Sequence, residues 1–404
     1  MGLRWKAALR GAATLAASVA SLPDAPAAQV AAPVVQVSAQ ASPSRTAPAQ
    51  RNKASAPSRA ARPAAEASGS NHSRPRAQPG TPGPAYGARA DVRTFAREAA
   101  ERRGLDPAWV GAQLAEARQL PAVQRLIMPP PPGTAKNWAA YRARFIDRAR
   151  IDAGLRFWRA HTRWLEQAQS RWGVPAEIVV AVIGVETFYG RHMGTFRVLD
   201  ALATLAFDFP SGRSDRSAFF REELEELLAL AVREGVPASH WRGSYAGAMG
   251  LPQFMPSSIG RWAVDFDEDG HIDLHGNAAD AIGSVAHYLA AFGWRRDMPT
   301  HFGVAVPVDT RARAELLAPD IVPTFTPAQV VARGAELPAE ALAHDGPLAL
   351  VELQNGEAAP SYVAGTSNFY VVTRYNWSAY YAMAVIDLAQ ELTQEQARER
   401  TAAR

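Results

Sequence analysis

The stretch Val179-Val180-Ala181-Val182-Ile183-Gly184-Val185-Glu186-Thr187-Phe188-Tyr189-Gly190 decides the fold, because it is an almost unbroken apolar run carrying a single carboxylate. Just upstream, Gly173-Val174-Pro175 supplies a helix start, since proline is tolerated in a first turn where its missing N–H costs nothing, and Gly190 supplies a stop. The run reads as a buried helix with Glu186 near its C-terminal end. Three, four and seven residues before Glu186 stand Ile183, Val182 and Val179, so the carboxylate projects from an apolar face. Desolvation there raises a carboxyl pKa toward the range useful for donating a proton at neutral pH. The competing reading is a buried Glu that caps nearby backbone or pairs with Arg191. Ion pairs perturb acids as active sites do, so the stretch alone leaves both open.

Around it lie 404 residues, enough for two or three domains and a sizeable core. Residues 1–90 hold 11 Lys/Arg against 2 Asp/Glu, a net of +9, whereas the whole chain carries +4, which leaves −5 on the rest. The basic balance thus belongs to the N-terminal segment. A nucleic-acid-binding domain would cluster positive charge on a folded face, so nucleic acid is excluded as a partner. Arg4, Lys6 and Arg10, an apolar stretch from Gly11 to Leu22 and then Ala25-Pro26-Ala27 read as an export signal over 1–27, with an uncut membrane anchor as the alternative. Export permits disulfides, yet the chain has no cysteine, so stability must come from burial and no acylation site exists. Residues 28–90, rich in Ala, Pro, Ser, Gln and Arg, read as a disordered tether, either a solvated spacer or an attractor of acidic polymer.

Helical periodicity begins near Val92. From Trp138 to Trp172, Tyr141, Phe145, Ile151, Leu155, Trp158, Thr162 and Leu165 recur every three or four residues, as in amphipathic helices packed on a core. Tyr141 is the candidate exception, a ligand platform. Met128-Pro129-Pro130-Pro131-Pro132-Gly133 reads as an extended connector. In Phe219 to Arg233, Leu224, Leu227, Leu228 and Ala231 line one face, and Glu222, Glu223, Glu225 and Glu226 read as a largely solvated charge run. Between Thr300 and Gly365 the pattern changes to short segments, Gly303 to Pro307 and Leu348 to Leu353, between proline-rich turns, which reads as a small β-containing insertion. Helical signal returns from Tyr380 to Leu392.

Two further constellations carry chemistry. In Asp265-Phe-Asp267-Glu-Asp269-Gly270-His271-Ile272-Asp273, oxygen donors at loop positions 1, 3 and 5, glycine at 6, a carbonyl from His271 at 7 and an apolar residue at 8 match an EF-hand calcium loop. Such hard oxygen ligands suit calcium and not zinc. Position 12 is Gly276 in place of an acid, and Asp280, four residues later, closes the set if the loop is enlarged. The bland alternative is an acidic turn stabilised by water. The second, Gly243 to Ser258, is a turn-rich loop of small residues in which Ser244 and Gln253 offer hydrogen bonds to a ligand.

Taken in order, Gly184-Val-Glu-Thr-Phe-Tyr-Gly190, Leu199-Asp-Ala-Leu-Ala-Thr-Leu205, Gly243-Ser-Tyr-Ala-Gly-Ala-Met-Gly250 with Gln253-Phe-Met-Pro-Ser-Ser258, the aspartate loop, Asp280-Ala-Ile-Gly-Ser-Val285 and Asn368-Phe-Tyr-Val-Val-Thr-Arg-Tyr-Asn376 resemble the lytic murein transglycosylase B family. The resemblance covers roughly Trp138 to the C-terminus, about two thirds of the chain. It implies an α+β, mainly α protein: a lysozyme-like core domain with a helical α-domain and a small β-containing domain inserted before the C-terminal helix. The implied boundaries are an α-domain at 91–170, a core with the calcium loop at 171–298, a β-domain at 299–365, a return to the core at 366–395 and a tail at 396–404. It further implies an enzyme that cleaves the MurNAc-GlcNAc bond of peptidoglycan without water and leaves a 1,6-anhydromuramoyl end. Glu186 matches the family's single catalytic acid/base. Ser244, Gln253, Tyr141, Tyr288, Tyr375, Asn376 and Tyr381 fall on positions or motifs near the glycan. Asp265, Asp267, Asp269, the His271 carbonyl and Asp280 match the calcium loop, whose closing aspartate in the family lies one residue nearer the start. The implied ion is a structural calcium, with no organic cofactor. Glycan strands of peptidoglycan are the implied partner, cell-wall synthesis proteins are further candidates, and the implied location is the periplasm.

A glycosidase normally needs two carboxylates. Asp200 and Asp208 are the candidates for a second one, but Asp200 sits in an apolar helical stretch and reads as a structural cap. One acid suffices if the substrate supplies its own nucleophile, the muramoyl 6-hydroxyl. The alternatives are a hydrolytic muramidase and a non-catalytic wall-binding scaffold.

Overall fold

A computed structural model describes residues 81–128 and 136–402. The export signal, most of the proposed tether and the proline connector lie outside the described residues.

The molecule is mainly helical, with two small antiparallel sheets. Its axis is the central helix Ala176–Thr187, with ten of its twelve residues buried, as expected of a helix that is apolar all round. Each fully buried Val or Ile in it contributes about 1.5–3 kcal/mol of hydrophobic stabilisation. The helices Arg148–Ala160, Thr162–Trp172 and Ala278–Ala291 and the C-terminal helix Ala379–Ala402 pack around it. Gly184 makes one of these contacts feasible: a Cβ there would sit 2.5 Å from the Tyr189 hydroxyl and 3.1 Å from Leu388.

The N-terminal helices Ala90–Arg103, Pro107–Glu116 and Pro121–Leu126 lie on the helices Val198–Phe207 and Ser217–Arg233. Asp208 fastens them, accepting from the Tyr86 hydroxyl and from Arg89 at 2.6 Å each. One continuous apolar core runs from Tyr86 to Leu392. A second, smaller core of Leu316, Val330, Ala335, Leu348, Leu350 and Ala364 belongs to the β-containing insertion. There a three-stranded sheet has Ala358–Gly365 in the middle, paired with His301–Gly303 and Ala349–Asn355.

The central helix ends before Gly190: Phe188, at φ 52°, is its left-handed cap, followed by Tyr189 at 55° and Gly190 at 88°. The first strand of the insertion is His301–Gly303, earlier than the Gly303 to Pro307 pattern, of which Gly303 pairs with Val363 and Ala305 makes an isolated bridge to Glu336. Alternation alone cannot choose an edge strand's register when a proline sits in the run. The glutamate run is not largely solvated: Glu223 is 2% and Glu225 7% exposed. Glu223 accepts from the Ser257 hydroxyl and N–H at 2.6 and 2.9 Å, and Glu225 pairs with Arg102 and Arg103. Partners from other elements satisfy charges that helical periodicity alone assigned to water. The last helix continues to Ala402, well beyond Leu392.

Candidate active site

Glu186 occupies the last turn of the central helix, where an apolar helix hands over to three consecutive left-handed residues. Thr187 anchors that turn. Its hydroxyl lies 3.2 Å from the Ile183 carbonyl and 3.0 Å from the Leu251 carbonyl, and it accepts from the Gly190 N–H at 3.1 Å. The carboxylate itself is half-buried. Its Oε1 accepts a 2.7 Å hydrogen bond from the Tyr381 hydroxyl, 195 residues away. Burial pushes the Glu186 carboxyl up to about 7, and the Tyr381 hydrogen bond, which favours the charged form, pulls against it. The hydrogen-bond partner that meets the Glu186 carboxylate is thus a tyrosine from the C-terminal helix.

Four of the sequence-derived tyrosines gather in the field of this acid. Tyr381 stacks on Tyr375 with centroids 6.2 Å apart, and Tyr375 packs on Tyr288 at 4.9 Å. Burial first and the Glu186 charge second hold the Tyr375 and Tyr381 hydroxyls well above the usual phenol range. Tyr141, on the short helix Trp138–Arg142, is pushed up to about 12, by burial and then by Glu186. Tyr288 is also raised, chiefly by burial, with Glu186 adding to it. Two of these hydroxyls are committed to the backbone: Tyr288 donates to the Arg374 carbonyl and Tyr375 to the Pro252 carbonyl. Tyr288 and Tyr375 are therefore framework, while Tyr381 touches the acid directly.

The loop from Gly243 to Ser258 lies alongside. Ser244 is 7% exposed, and its hydroxyl oxygen accepts from the Ala246 and Ala248 N–H groups at 3.3 and 3.0 Å. Gln253, in a left-handed conformation at φ 51°, donates from its amide to the Gly250 and Met193 carbonyls. Both side chains thus shape the loop, and the Ser244 proton and the Gln253 carbonyl oxygen remain to meet a ligand. Asn376, 6% exposed, caps the helix Ser367–Tyr375 directly after Tyr375. No second carboxylate acts on Glu186 among the described residues. Asp200 accepts from Arg197 and the Arg118 N–H, and Asp208 is held by Tyr86 and Arg89.

The acidic loop brings Asp265, Asp267 and Asp280 together, with one oxygen from each within 4.8 Å of the others. Asp280 comes from the first turn of the helix Ala278–Ala291, so the acid missing at position 12 is replaced from there. Its two oxygens accept from the Phe266 and Asp273 N–H groups. Asp269 and His271 do not belong to this cluster of side chains. Asp269 Oδ1 accepts from the His271 N–H, and the oxygen that His271 offers the loop is its carbonyl. Asp267 Oδ2 accepts from Asn277, but its Oδ1 is buried without a partner, as expected of an oxygen waiting for a cation. The donor set, all oxygen, fits calcium. Sequence reading missed Asn277 and Asp273; the latter accepts from the His275 and Gly276 N–H groups. Asp273 stands at loop position 9, a position that often ligates through water, whereas Asn277 lies one residue past position 12.

The two sites are mechanically joined. Leu251 donates its N–H to the Leu274 carbonyl at the end of the acidic loop and accepts from Thr187 beside Glu186. Gly250 makes the approach feasible, since a Cβ there would lie 2.4 Å from the Leu274 oxygen. The 410 Å³ hollow lined by Pro175, Ile178, Trp294 and Ile386 sits at the opposite end of the central helix, far from this chemistry.

A transglycosylase SLT domain model matches residues 87–390. The chain is 38% identical to membrane-bound lytic murein transglycosylase B of Escherichia coli (strain K12) over 308 residues, 74% of this chain and 82% of that protein. Among solved structures it is similar to the soluble lytic transglycosylase SltB1 of Pseudomonas aeruginosa, with 39% identity, a TM-score of 0.68, and coverage of 76% of this chain and 99% of that one. It is similar as well to the Escherichia coli lytic transglycosylase Slt35 in complex with calcium, at 34% identity and TM-score 0.66, covering 78% and 97%.

Proposed function

The chain belongs to the transglycosylase SLT domain family, and on that premise we propose that Glu186 alone serves as acid and then base in its reaction. The protein is a lytic murein transglycosylase: it cleaves the β-1,4 bond between MurNAc and GlcNAc in peptidoglycan without water and leaves 1,6-anhydromuramoyl products. The observation that carries the assignment to Glu186 is a desolvated carboxyl, pushed up to about 7, hydrogen-bonded by a tyrosine and without a partner carboxylate among the described residues.

Glu186 donates its proton to the glycosidic oxygen as the bond to the anomeric carbon breaks. The resulting carboxylate takes the proton of the muramoyl 6-hydroxyl as that oxygen attacks the anomeric carbon. The acid is regenerated, and no water enters. Holding the hydroxyl in place replaces a bimolecular step by an intramolecular one, which removes the need for a second carboxylate. A carboxyl that titrates near 7 is matched to both halves of this cycle. Tyr381 stabilises the carboxylate between the two proton transfers. Ser244, Gln253, Tyr141 and Asn376 hold the sugar, and Tyr288 and Tyr375 hold the loop and helix that carry them.

Asp265, Asp267 and Asp280 would bind a calcium ion, with Asp269 and the His271 carbonyl completing the shell. The ion supplies charge neutralisation to the loop and no bond chemistry. The domain division given above, an exported periplasmic location and contact with cell-wall synthesis proteins belong to the same proposal. No helix among the described residues is long and apolar enough to cross a membrane.

Digestion of purified sacculi by the wild type and by Glu186→Gln, read by mass spectrometry, tests the assignment. Wild type should release ends lighter by one water than hydrolysed ends, and the variant should release almost none. Hydrated ends from the wild type, or undiminished clearance by the variant, would reject it.

A further inference from the structure

Four residues depart from local backbone preference around one side chain, that of Tyr189. Phe188 and Tyr189 hold left-handed backbone, at φ 52° and 55°, where bulky side chains rarely go and glycine is the usual occupant of a helix end. Their N–H groups close the central helix onto the Gly184 and Ile183 carbonyls at 3.1 and 3.4 Å, so these two residues shape the turn that follows Glu186. The other two are Gly154 and Gly184. Each stands inside a helix, where alanine is the better former.

All four departures meet at the Tyr189 hydroxyl. A Cβ at Gly154 would lie 2.4 Å from that oxygen and one at Gly184 2.5 Å from it, so the two glycines open a slot between the helix Arg148–Ala160 and the central helix. The C-terminal helix walls the slot: Leu392 would meet the Gly154 Cβ at 2.6 Å, and Leu388 the Gly184 Cβ at 3.1 Å. Phe157 packs on the ring, with centroids 5.5 Å apart. The hydroxyl oxygen is buried and makes no hydrogen bond among the described residues. Burying a hydroxyl without a partner is unfavourable, so its contribution here is the space it fills. The helix that walls the slot also carries Tyr381 to Glu186. One side chain thus ties the turn three residues past the acid to the element that supplies the acid's hydrogen-bond donor. Thr187 holds the same turn from the other side, on the Leu251 carbonyl.

We propose that Tyr189 is a positioning residue for the proton transfers, a key seated between Gly154 and Gly184 that holds the left-handed turn against the C-terminal helix and keeps Glu186 in register with the Tyr381 hydroxyl. The inference rests on Glu186 being the acid. Tyr189 acts through the turn and makes no hydrogen bond to the carboxylate.

Variants assayed on glycan strands, with kcat and KM resolved, test the key. Tyr189→Gly supplies the residue that left-handed backbone favours but empties the slot. Its kcat should fall by about 10²-fold, the usual loss for a misplacement of about 1 Å, with KM within about twofold of wild type. Tyr189→Phe, which keeps the ring, should recover at least about tenfold of that loss. Gly154→Ala, which helix propensity favours, intrudes on the hydroxyl and should lower kcat by about tenfold. Adding Tyr189→Phe to it should restore most of the rate, because the new Cβ then meets Cζ at 3.0 Å and the flexible end of Leu392. Within Tyr189→Gly, Tyr381→Phe should cost only about threefold, against about ten- to a hundredfold alone, because the hydrogen bond it removes is already displaced. The key is overturned by a Tyr189→Gly or Gly154→Ala enzyme with wild-type kcat, by losses that fall on KM, or by losses that simply multiply in either pair. Melting curves identify the folded variants, and if Tyr189→Gly does not fold, Gly154→Ala and its rescue decide. Anhydro ends released by wild type and missing from Glu186→Gln keep the reading of the acid intact whichever way the key is decided.

Discussion

Carboxylates are used in opposite ways at the two ends of the Thr187–Leu251–Leu274 bridge. At one end Glu186 stands alone, taken partly out of water and given one neutral hydrogen-bond donor, so its charge is disfavoured and its proton is available near pH 7. At the other, Asp265, Asp267 and Asp280 are crowded together, and backbone N–H groups satisfy some of their oxygens while Asp267 Oδ1 is left bare. Isolation makes an acid reactive, whereas crowding makes a site for a cation. What separates the two is the number of neighbouring charges and donors, since both kinds of carboxylate are at least partly buried.

If that contrast is right, neutralising each end should have different consequences, and the larger falls on catalysis. Glu186→Gln keeps an acceptor for Tyr381 but cannot move a proton, so turnover on sacculi should fall by about 10³-fold or more. Release of anhydro ends measures it; a loss below tenfold would mean that proton transfer by this residue does not limit the reaction. At the crowded end the effect should be on stability. Calcium in hundredfold excess over its dissociation constant should stabilise the fold by about 2.7 kcal/mol, which raises Tm by about 4 °C. Asp267→Asn should abolish that rise and leave the calcium-free protein no less stable, because it removes repulsion. Melting curves with calcium and with chelator decide this, and an equal calcium response in the variant would move the ion elsewhere.

The contrast was only half legible in the sequence. The central helix and its acid could be read from the apolar run of Val179 to Val185, because a helix buried on all sides leaves that signature regardless of its neighbours. The acidic loop could be read because its ligands are local. Tyr381 could be placed near the glycan only through a family motif, since its contact with Glu186 spans 195 residues. The burial of Glu223 and Glu225 was invisible for the same reason: Ser257, Arg102 and Arg103 come from other elements. The strand Ala358–Gly365 went unread because Pro360 and several small residues blur its alternation, although it is the middle strand of its sheet. The departure at the end of the central helix is instructive as well. Phe188 and Tyr189 accept left-handed backbone before Gly190 is reached, so the turn that aims Glu186 is held by Thr187 and by tertiary packing.

Isolation should also be visible as a pH dependence of stability. The Glu186 carboxyl rises from 4.5 in the unfolded chain to about 7 in the folded one, so the folded state holds its proton more tightly. That contribution is fully present below about pH 4.5 and is lost as pH rises through 7. The shift sets a ceiling near 3 kcal/mol, and partial solvent access reduces it to about 1–2 kcal/mol. Glu186→Gln, which never ionises, should therefore melt higher than wild type at pH 8 by a few degrees and match it at pH 4.5. An equal difference at both pH values would mean that the carboxylate is not desolvated.

The smallest effect concerns the one donor that moderates the isolation. The Tyr381 hydroxyl favours the ionised form of Glu186, so Tyr381→Phe should push the carboxyl further up, and the alkaline limb of kcat/KM, which for wild type falls away above about pH 7, should move higher by about one pH unit. The maximal rate should drop at the same time, because the carboxylate formed after the first proton transfer loses the hydrogen bond that stabilises it. That bond contributes about 1.5–3 kcal/mol at a charged group, so the loss in kcat should be about ten- to a hundredfold and short of that in Glu186→Gln. A limb that moves down would show that the hydroxyl stabilises the protonated acid instead, and the contrast between the lone acid and the crowded loop would then rest on burial alone.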